Sequence, residues 1–291
     1  MKRIPESQLV LAADGSIYHL RLKPNQLADD IILVGDPNRV ALVSSFFDSI
    51  EYQVSSRELV THTGIYKGKR ISAISTGMGT DNIDIVINEL DALVNIDLET
   101  RTIKKERRSL NLIRLGTSGA LQADIPVGES FVAGEYALGL DGLIHFYAGA
   151  DQIIEHEFTQ AFIDQTNWPA SLPSPYIVKA SETLLKKLAT GYYSGTIATS
   201  AGFYAPQGRS LRLGLAQPSM NHAIENFKFN DHRITNFEME SSALYGLSRL
   251  MGHNALTICV IIANRVTEKF SGNYQPFMKK LIQQTLDRLV A

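Results

Sequence analysis

The chain has 291 residues, 44% of them hydrophobic and 20% charged, with a formal net charge of -2. Such a length can bury a large core, the composition is ordinary for a globular protein, and the near-neutral balance gives no global field towards nucleic acid or an acidic membrane. No apolar run reaches membrane-spanning length, and the start MKRIPESQLV lacks the apolar stretch of a secretory leader, so a cytoplasmic location is expected.

Strand-like and helix-like runs alternate along the chain, which predicts an α/β fold with a largely parallel or mixed sheet flanked by helices. One domain is expected over residues 1–291. The clearest strands fall at residues 31–34, 71–75, 111–115, 195–199 and 256–263. The last is apolar almost throughout, as a strand covered on both faces should be. It carries the single cysteine, Cys259, for which core packing is the expected role. The run KKERR at residues 104–108 reads as a solvated helix face or loop, and three prolines make residues 168–175 an irregular connection. After Glu240, residues Ala243, Leu244, Leu247, Leu250 and Met251 share one face of an amphipathic helix. After Pro276, residues Phe277, Leu281, Ile282, Leu286 and Leu289 do the same.

Several chemistries find no support. The seven histidines show no metal-ligand spacing, so no metal is expected. Neither a Walker loop nor a G-x-G-x-x-G is present, and Gly116-Thr117-Ser118-Gly119 lacks the spacing of a nucleophile elbow.

Three stretches carry more information. In residues 31–40 (IILVGDPNRV) an apolar strand runs into Gly35, Asp36 suits an N-cap and Pro37 a first helical position. The helix N-terminus behind them is a natural anion site, and Arg39 can add a bidentate contact. In residues 113–120 (IRLGTSGA) Arg114 interrupts an apolar strand just before a Gly/Ser/Thr turn. A buried cation needs a partner, either an acidic side chain or a bound oxyanion that Thr117 also contacts. In residues 236–241 (NFEMES) two carboxylates, Glu238 and Glu240, precede a small-residue helix; they suit the vicinal hydroxyls of a sugar or a solvated helix start.

Taken together and in this order, GDPNRV, STGMG at residues 75–79, RLGTSGA and NFEMES resemble the nucleoside phosphorylase family, over roughly residues 19–265. The resemblance implies a single α/β domain with a mixed, partly barrel-like sheet. It implies phosphate binding by Gly35, Arg39, Arg114 and Thr117, with Arg57 contributed by a neighbouring subunit. Ribose falls to Glu238, Met239 and Glu240, with Thr117 beside them and His19 donated across the interface; Glu240 takes the hydroxyls. Ser118, Gly119, Phe203, Gln207, Arg209 and Ile262 match base-contacting positions, and the catalytic roles fall to Arg114, Arg209 and Glu240.

Within the family, residues 203–209 (FYAPQGR) and 262–265 (IANR) resemble the uridine-type members. Gln207 offers acceptor and donors to uracil, and Arg209 can stabilise charge on the departing base. Purine-type members place an aspartate where Asn264 stands, and an asparagine cannot protonate a purine nitrogen. The implied activity is phosphorolysis of uridine to uracil and ribose 1-phosphate by a homodimer or a hexamer of dimers. Inorganic phosphate is a co-substrate and no cofactor is expected. A purine phosphorylase, a nucleosidase and a non-enzymatic nucleoside-binding relative remain the alternatives. Two departures stand out: Thr80-Asp81-Asn82 after STGMG, and an apparent insertion at residues 96–108. Glu58, Met78 and Asn82 match the ligands of a monovalent interface cation, with asparagine where serine is usual.

Overall fold

The computed structural model describes residues 2–291. In chain order, β1 (Asp30–Val34) leads into α1 (Pro37–Ser44), then β2 (Ser49–Ser56), β3 (Leu59–Tyr66), β4 (Lys69–Ser75) and α2 (Thr80–Asn95). A small hairpin of β5 (Ile96–Asp97) and β6 (Thr102–Ile103) precedes β7 (Asn111–Ala120) and β8 (Phe131–Gly139). Next come α3 (His156–Thr166), β9 (Tyr176–Lys179), α4 (Glu182–Leu188) and β10 (Tyr193–Thr199). The last part holds α5 (Met220–Asn226), β11 (Lys228–Phe229), β12 (His232–Glu238), α6 (Ser241–Met251), β13 (Asn254–Asn264), β14 (Lys269–Phe270) and α7 (Gln275–Val290).

The main sheet runs β11-β12-β10-β8-β13-β7-β1-β4-β3-β2. Strand β12 also pairs antiparallel with β7, Phe237 opposite Gly119 and Asn236 opposite Ala120. That extra pairing closes β12, β10, β8, β13 and β7 into a five-stranded barrel, while β1, β4, β3 and β2 extend from it as an open wing. The α/β class and the partly barrel-like sheet are therefore as the resemblance implied. The five expected strands are all present.

One expectation needs correcting. Residues 116–119 were read as a turn, yet β7 continues through them to Ala120. Glycine, serine and threonine favour turns locally, but here β13 pairs along the whole stretch and β12 along its end. Sheet pairing on both sides overrides the local preference. Helix α6 is present where expected, and its burial goes beyond the apolar face, since residues 241–248, serines included, are all buried. Helix α7 keeps the expected face, with Leu281, Ile282, Leu286 and Leu289 in the core. Residues 105–108 are exposed loop beyond the β5–β6 hairpin, and residues 168–175 are irregular. Among the described residues, no helix is long and apolar enough to cross a membrane.

Tyr245 ties α6 to the barrel. Its buried hydroxyl donates to the Gly134 carbonyl (2.9 Å) and accepts from the Thr257 amide (2.8 Å), so it joins β8 and β13 through one side chain. Tyr245→Phe should lower stability by about 1–3 kcal/mol, the range for leaving buried polar groups unpaired. The shift of the urea midpoint measures it, and an unchanged midpoint would show that the hydroxyl bears no part of the α6 docking.

Candidate active site

Strands β1, β7 and β13 run parallel, so their carboxyl ends open on one edge of the sheet, where such folds gather ligands. A cavity of about 1120 Å³ lies there. Its wall is made by Gly35 and Arg39 after β1, by residues 116–119 of β7, by residues 238–240 where β12 ends, and by Ile262 and Arg265 where β13 ends. The loop after β10 contributes Phe203, Gln207 and Arg209.

The entry to α1 is built as the sequence implied. Asp36 caps it by accepting from the Asn38 amide at 2.9 Å, and Pro37 occupies the first turn. Arg39, half-buried, donates to the Leu115 carbonyl at 3.3 Å. Burial holds its pKa below the usual arginine value, which leaves a cation favourably placed to receive an anion.

Arg114 forms the floor of the cavity. Its Nη2 is hydrogen-bonded to Glu240, and its Nη1 lies 3.4 Å from Glu238 Oε2. Its Nε and Nη1 hold no hydrogen bond. The sequence left an acid or an oxyanion open as partner; two acids flank this arginine, and donors remain free. Burial works against its charge, but Glu240 and Glu238 more than offset that and raise its pKa. Both carboxylates are buried, at 4% and 3% residue exposure, which excludes the solvated helix start. Glu240 also accepts from the Gly79 amide (2.9 Å) and the Met239 amide (3.2 Å). Burial pushes its carboxyl up, while Arg114 opposes that.

At the loop after β10, Arg209 donates to the Gln207 side-chain oxygen at 2.7 Å and stacks its guanidinium 3.7 Å from the Phe203 ring centroid. Burial first, then the neighbouring charge of Arg265, bring the Arg209 pKa down to about 10.

The sequence profile of the phosphorylase superfamily matches residues 29–290. A uridine phosphorylase of Thermococcus kodakarensis is 33% identical over 259 residues, covering 88% of this chain and 80% of that one. The chain belongs to the phosphorylase superfamily. A solved structure of a Trypanosoma brucei nucleoside phosphorylase, described as showing uridine phosphorylase activity, superposes with a TM-score of 0.89 at 32% identity, covering 97% of this chain and 99% of that one. A DeoD-type purine nucleoside phosphorylase of Listeria welshimeri is 28% identical over 249 residues, 84% of this chain and 85% of that one. The protein is accordingly an enzyme of the nucleoside phosphorylase, pentosyltransferase kind.

Of the positions that the resemblance to this superfamily singled out, the structure brings together Gly35, Arg39, Arg114, Thr117, Ser118, Gly119, Phe203, Gln207, Arg209, Glu238, Met239, Glu240 and Ile262 around one cavity. His19 and Arg57 do not line it. His19 Nδ1 lies 2.7 Å from Glu89 Oε1 on α2, and Arg57 is exposed at the β2–β3 turn with a left-handed φ of 56°. Glu58, Met78 and Asn82, the positions matching a cation's ligands, lie together on the cavity wall. Asn82 donates to Glu58 at 3.5 Å.

Asn264, at the edge of the cavity, donates through its amide to the Gln122 and Ile125 carbonyls, and its oxygen accepts from the Val266 and Thr267 amides. It is committed to its own turn. Its neighbour Arg265, which the motifs do not single out, is half-buried, lines the cavity and carries an Nη1 without a hydrogen-bond partner. The signal was available, since a cation ending an apolar strand raises the same question as Arg114.

Gly116 explains how Arg114 reaches its place. A Cβ at Gly116 would stand 2.3 Å from Arg114 Nη1 and 3.2 Å from Cys259 Sγ, so the guanidinium folds back over a residue that must lack a side chain. Gly116→Ala should displace Arg114 and weaken binding of a small oxyanion at least about tenfold, the effect of losing one charge-assisted contact. Calorimetric titration with inorganic phosphate measures this, and unchanged affinity would show that the cradle does not set the arginine.

Proposed function

We propose that this enzyme cleaves a pyrimidine nucleoside by phosphorolysis, uridine to uracil and ribose 1-phosphate. One observation carries the reading: Gln207 and Arg209, held together by their own hydrogen bond, face the same cavity as Arg39, Arg114 and Thr117. An anion and a pyrimidine can therefore be held at once. Phosphate is assigned to Gly35, Arg39, Arg114 and Thr117, and the ribose hydroxyls to Glu240 beside Met239. Since the Gln207 oxygen already accepts from Arg209, its amide protons are left for a carbonyl of the base, and its remaining lone pair suits N3–H.

Phosphate then attacks one face of C1′ while the base leaves from the other, and the sugar passes through oxocarbenium character. Arg209 meets the charge that grows on the departing base, with Arg265 close enough to lower its pKa. Binding both reactants in one orientation supplies the remaining acceleration. The similarity to the uridine phosphorylase and the T. brucei structure supports the pyrimidine assignment. The commitment of Asn264 to its turn argues against a purine, because no acid stands at that position to protonate the leaving base.

Uracil release from uridine should require phosphate or arsenate, as a spectrophotometric assay with and without phosphate will show. Equal release in phosphate-free buffer would establish hydrolysis instead. Arg209→Ala should lower kcat by about 10²–10³, the range for removing one donor to a developing oxyanion, with phosphate affinity little changed. Intact turnover in that variant would remove Arg209 from the base site.

We further propose that His19 and Arg57 serve the cleft of a second subunit, in a homodimer or a hexamer of dimers, since neither lines its own. Inactive Arg57→Ala and Arg114→Ala chains, unfolded and refolded together, should regain activity. A two-fold dimer with random pairing leaves about a quarter of all sites intact. No recovery from a mixture containing mixed dimers would place Arg57 within its own chain or outside the reaction.

A further inference from the structure

The two carboxylates of the residue 238–240 segment are not equivalent. Glu240 keeps an acceptor position to spare, because its Oε1 takes only the Gly79 amide. In Glu238 neither oxygen is so lightly engaged. Its Oε1 accepts from the Thr199 hydroxyl (2.6 Å) and its Oε2 from the Glu240 amide (3.0 Å), while the one Ser241 amide proton is shared between them (3.1 and 2.9 Å). Arg114 Nη1 lies 3.4 Å away on the same Oε2. With both oxygens supplied and the side chain 1% exposed, Glu238 cannot take a sugar hydroxyl without giving up a bond that fixes its own turn.

Thr199 decides that orientation. It ends β10 directly opposite Glu238 in the parallel β10–β12 pairing and is fully buried. Its oxygen accepts from the Ser242 amide at 3.0 Å, the second residue of α6, so its only proton is directed to Glu238. Thr199 thus ties the start of α6 to the carboxylate that stands beside Arg114. Thr199 does not line the cavity and cannot touch a substrate there.

We propose that Thr199 and Glu238 are a positioning pair: they hold Arg114 in place for phosphate, and recognition of the ribose hydroxyls falls to Glu240. A carboxylate fixed at one edge of the guanidinium leaves Nε and Nη1, which have no hydrogen-bond partner within the protein, as the donors an anion can take. The proposal rests on the phosphorolysis reading for the identity of the anion, but not for the base.

The test compares the full-length protein with Thr199→Val, Thr199→Ser, Glu238→Gln and Glu240→Gln. Calorimetry with inorganic phosphate should give about tenfold weaker binding for Thr199→Val, the loss of one hydrogen bond to a charged group, and near-native binding for Thr199→Ser. The preference for uridine over 2′-deoxyuridine in kcat/KM should survive in Thr199→Val and Glu238→Gln and collapse in Glu240→Gln. A collapse in Glu238→Gln would make Glu238 a sugar ligand and overturn the proposal. So would native phosphate affinity in Thr199→Val, or wild-type protein that binds no phosphate. Should Glu238→Gln fail to fold, Thr199→Val carries the test by itself, since valine keeps the buried shape. Should the wild type cleave inosine and not uridine, the pyrimidine reading falls, and the same ratio is read on inosine and 2′-deoxyinosine.

Discussion

A single buried cation between two buried carboxylates organises the cleft. Arg114 lies between Glu238 and Glu240 at the floor of the cavity, and each of the three is almost wholly removed from water. Such a group contributes little net stability, because the desolvation of its charges offsets their attraction. What it supplies is placement. Backbone amides at the start of α6 take up much of the carboxylate charge, and the positive end of the helix favours it. The arginine is left with donors that the protein does not use.

Barrel closure makes this arrangement attainable. Arg114 and Glu238 stand far apart in the chain, on β7 and at the end of β12, and the antiparallel contact of those two strands brings them together. A second consequence follows from the parallel pairing of β10 with β12, which sets Thr199 opposite Glu238. The parallel strands β1, β7 and β13 send their carboxyl ends to the same edge, so the α1 entry, the arginine floor and the Ile262–Arg265 wall share one opening. Around that opening, burial lowers the pKa of Arg39, Arg209 and Arg265. The cleft therefore holds cations in places where an incoming anion relieves an existing cost.

Much of the scaffold is legible in the sequence, for identifiable reasons. Continuous apolar runs mark the strands because both faces of this sheet are covered, and Asp36-Pro37 marks the α1 start because capping is a local interaction. The segments that meet at the cleft are legible as motifs because they occur together and in a fixed order, each being weak by itself. Residues 116–119 are not legible as strand, because their composition favours a turn and only two neighbouring strands override it. The full burial of the α6 serines is not legible either, because it depends on elements brought over them from elsewhere in the chain.

The sequence by itself determined the α/β class, the local form of the strands and caps, and the family to which the chain is similar. Periodicity and capping act over a few residues, and the order of the motifs is written along the chain itself. Only the tertiary structure decided partners. It paired Arg114 with acids, spent Asn264 on its own turn, left Arg265 and Arg114 with unused donors, and put a silent strand threonine, Thr199, behind Glu238. Hydrogen-bond capacity explains the difference. A side chain's chemistry is written in its type, but whether that chemistry is free for a ligand depends on groups brought to it from distant parts of the chain.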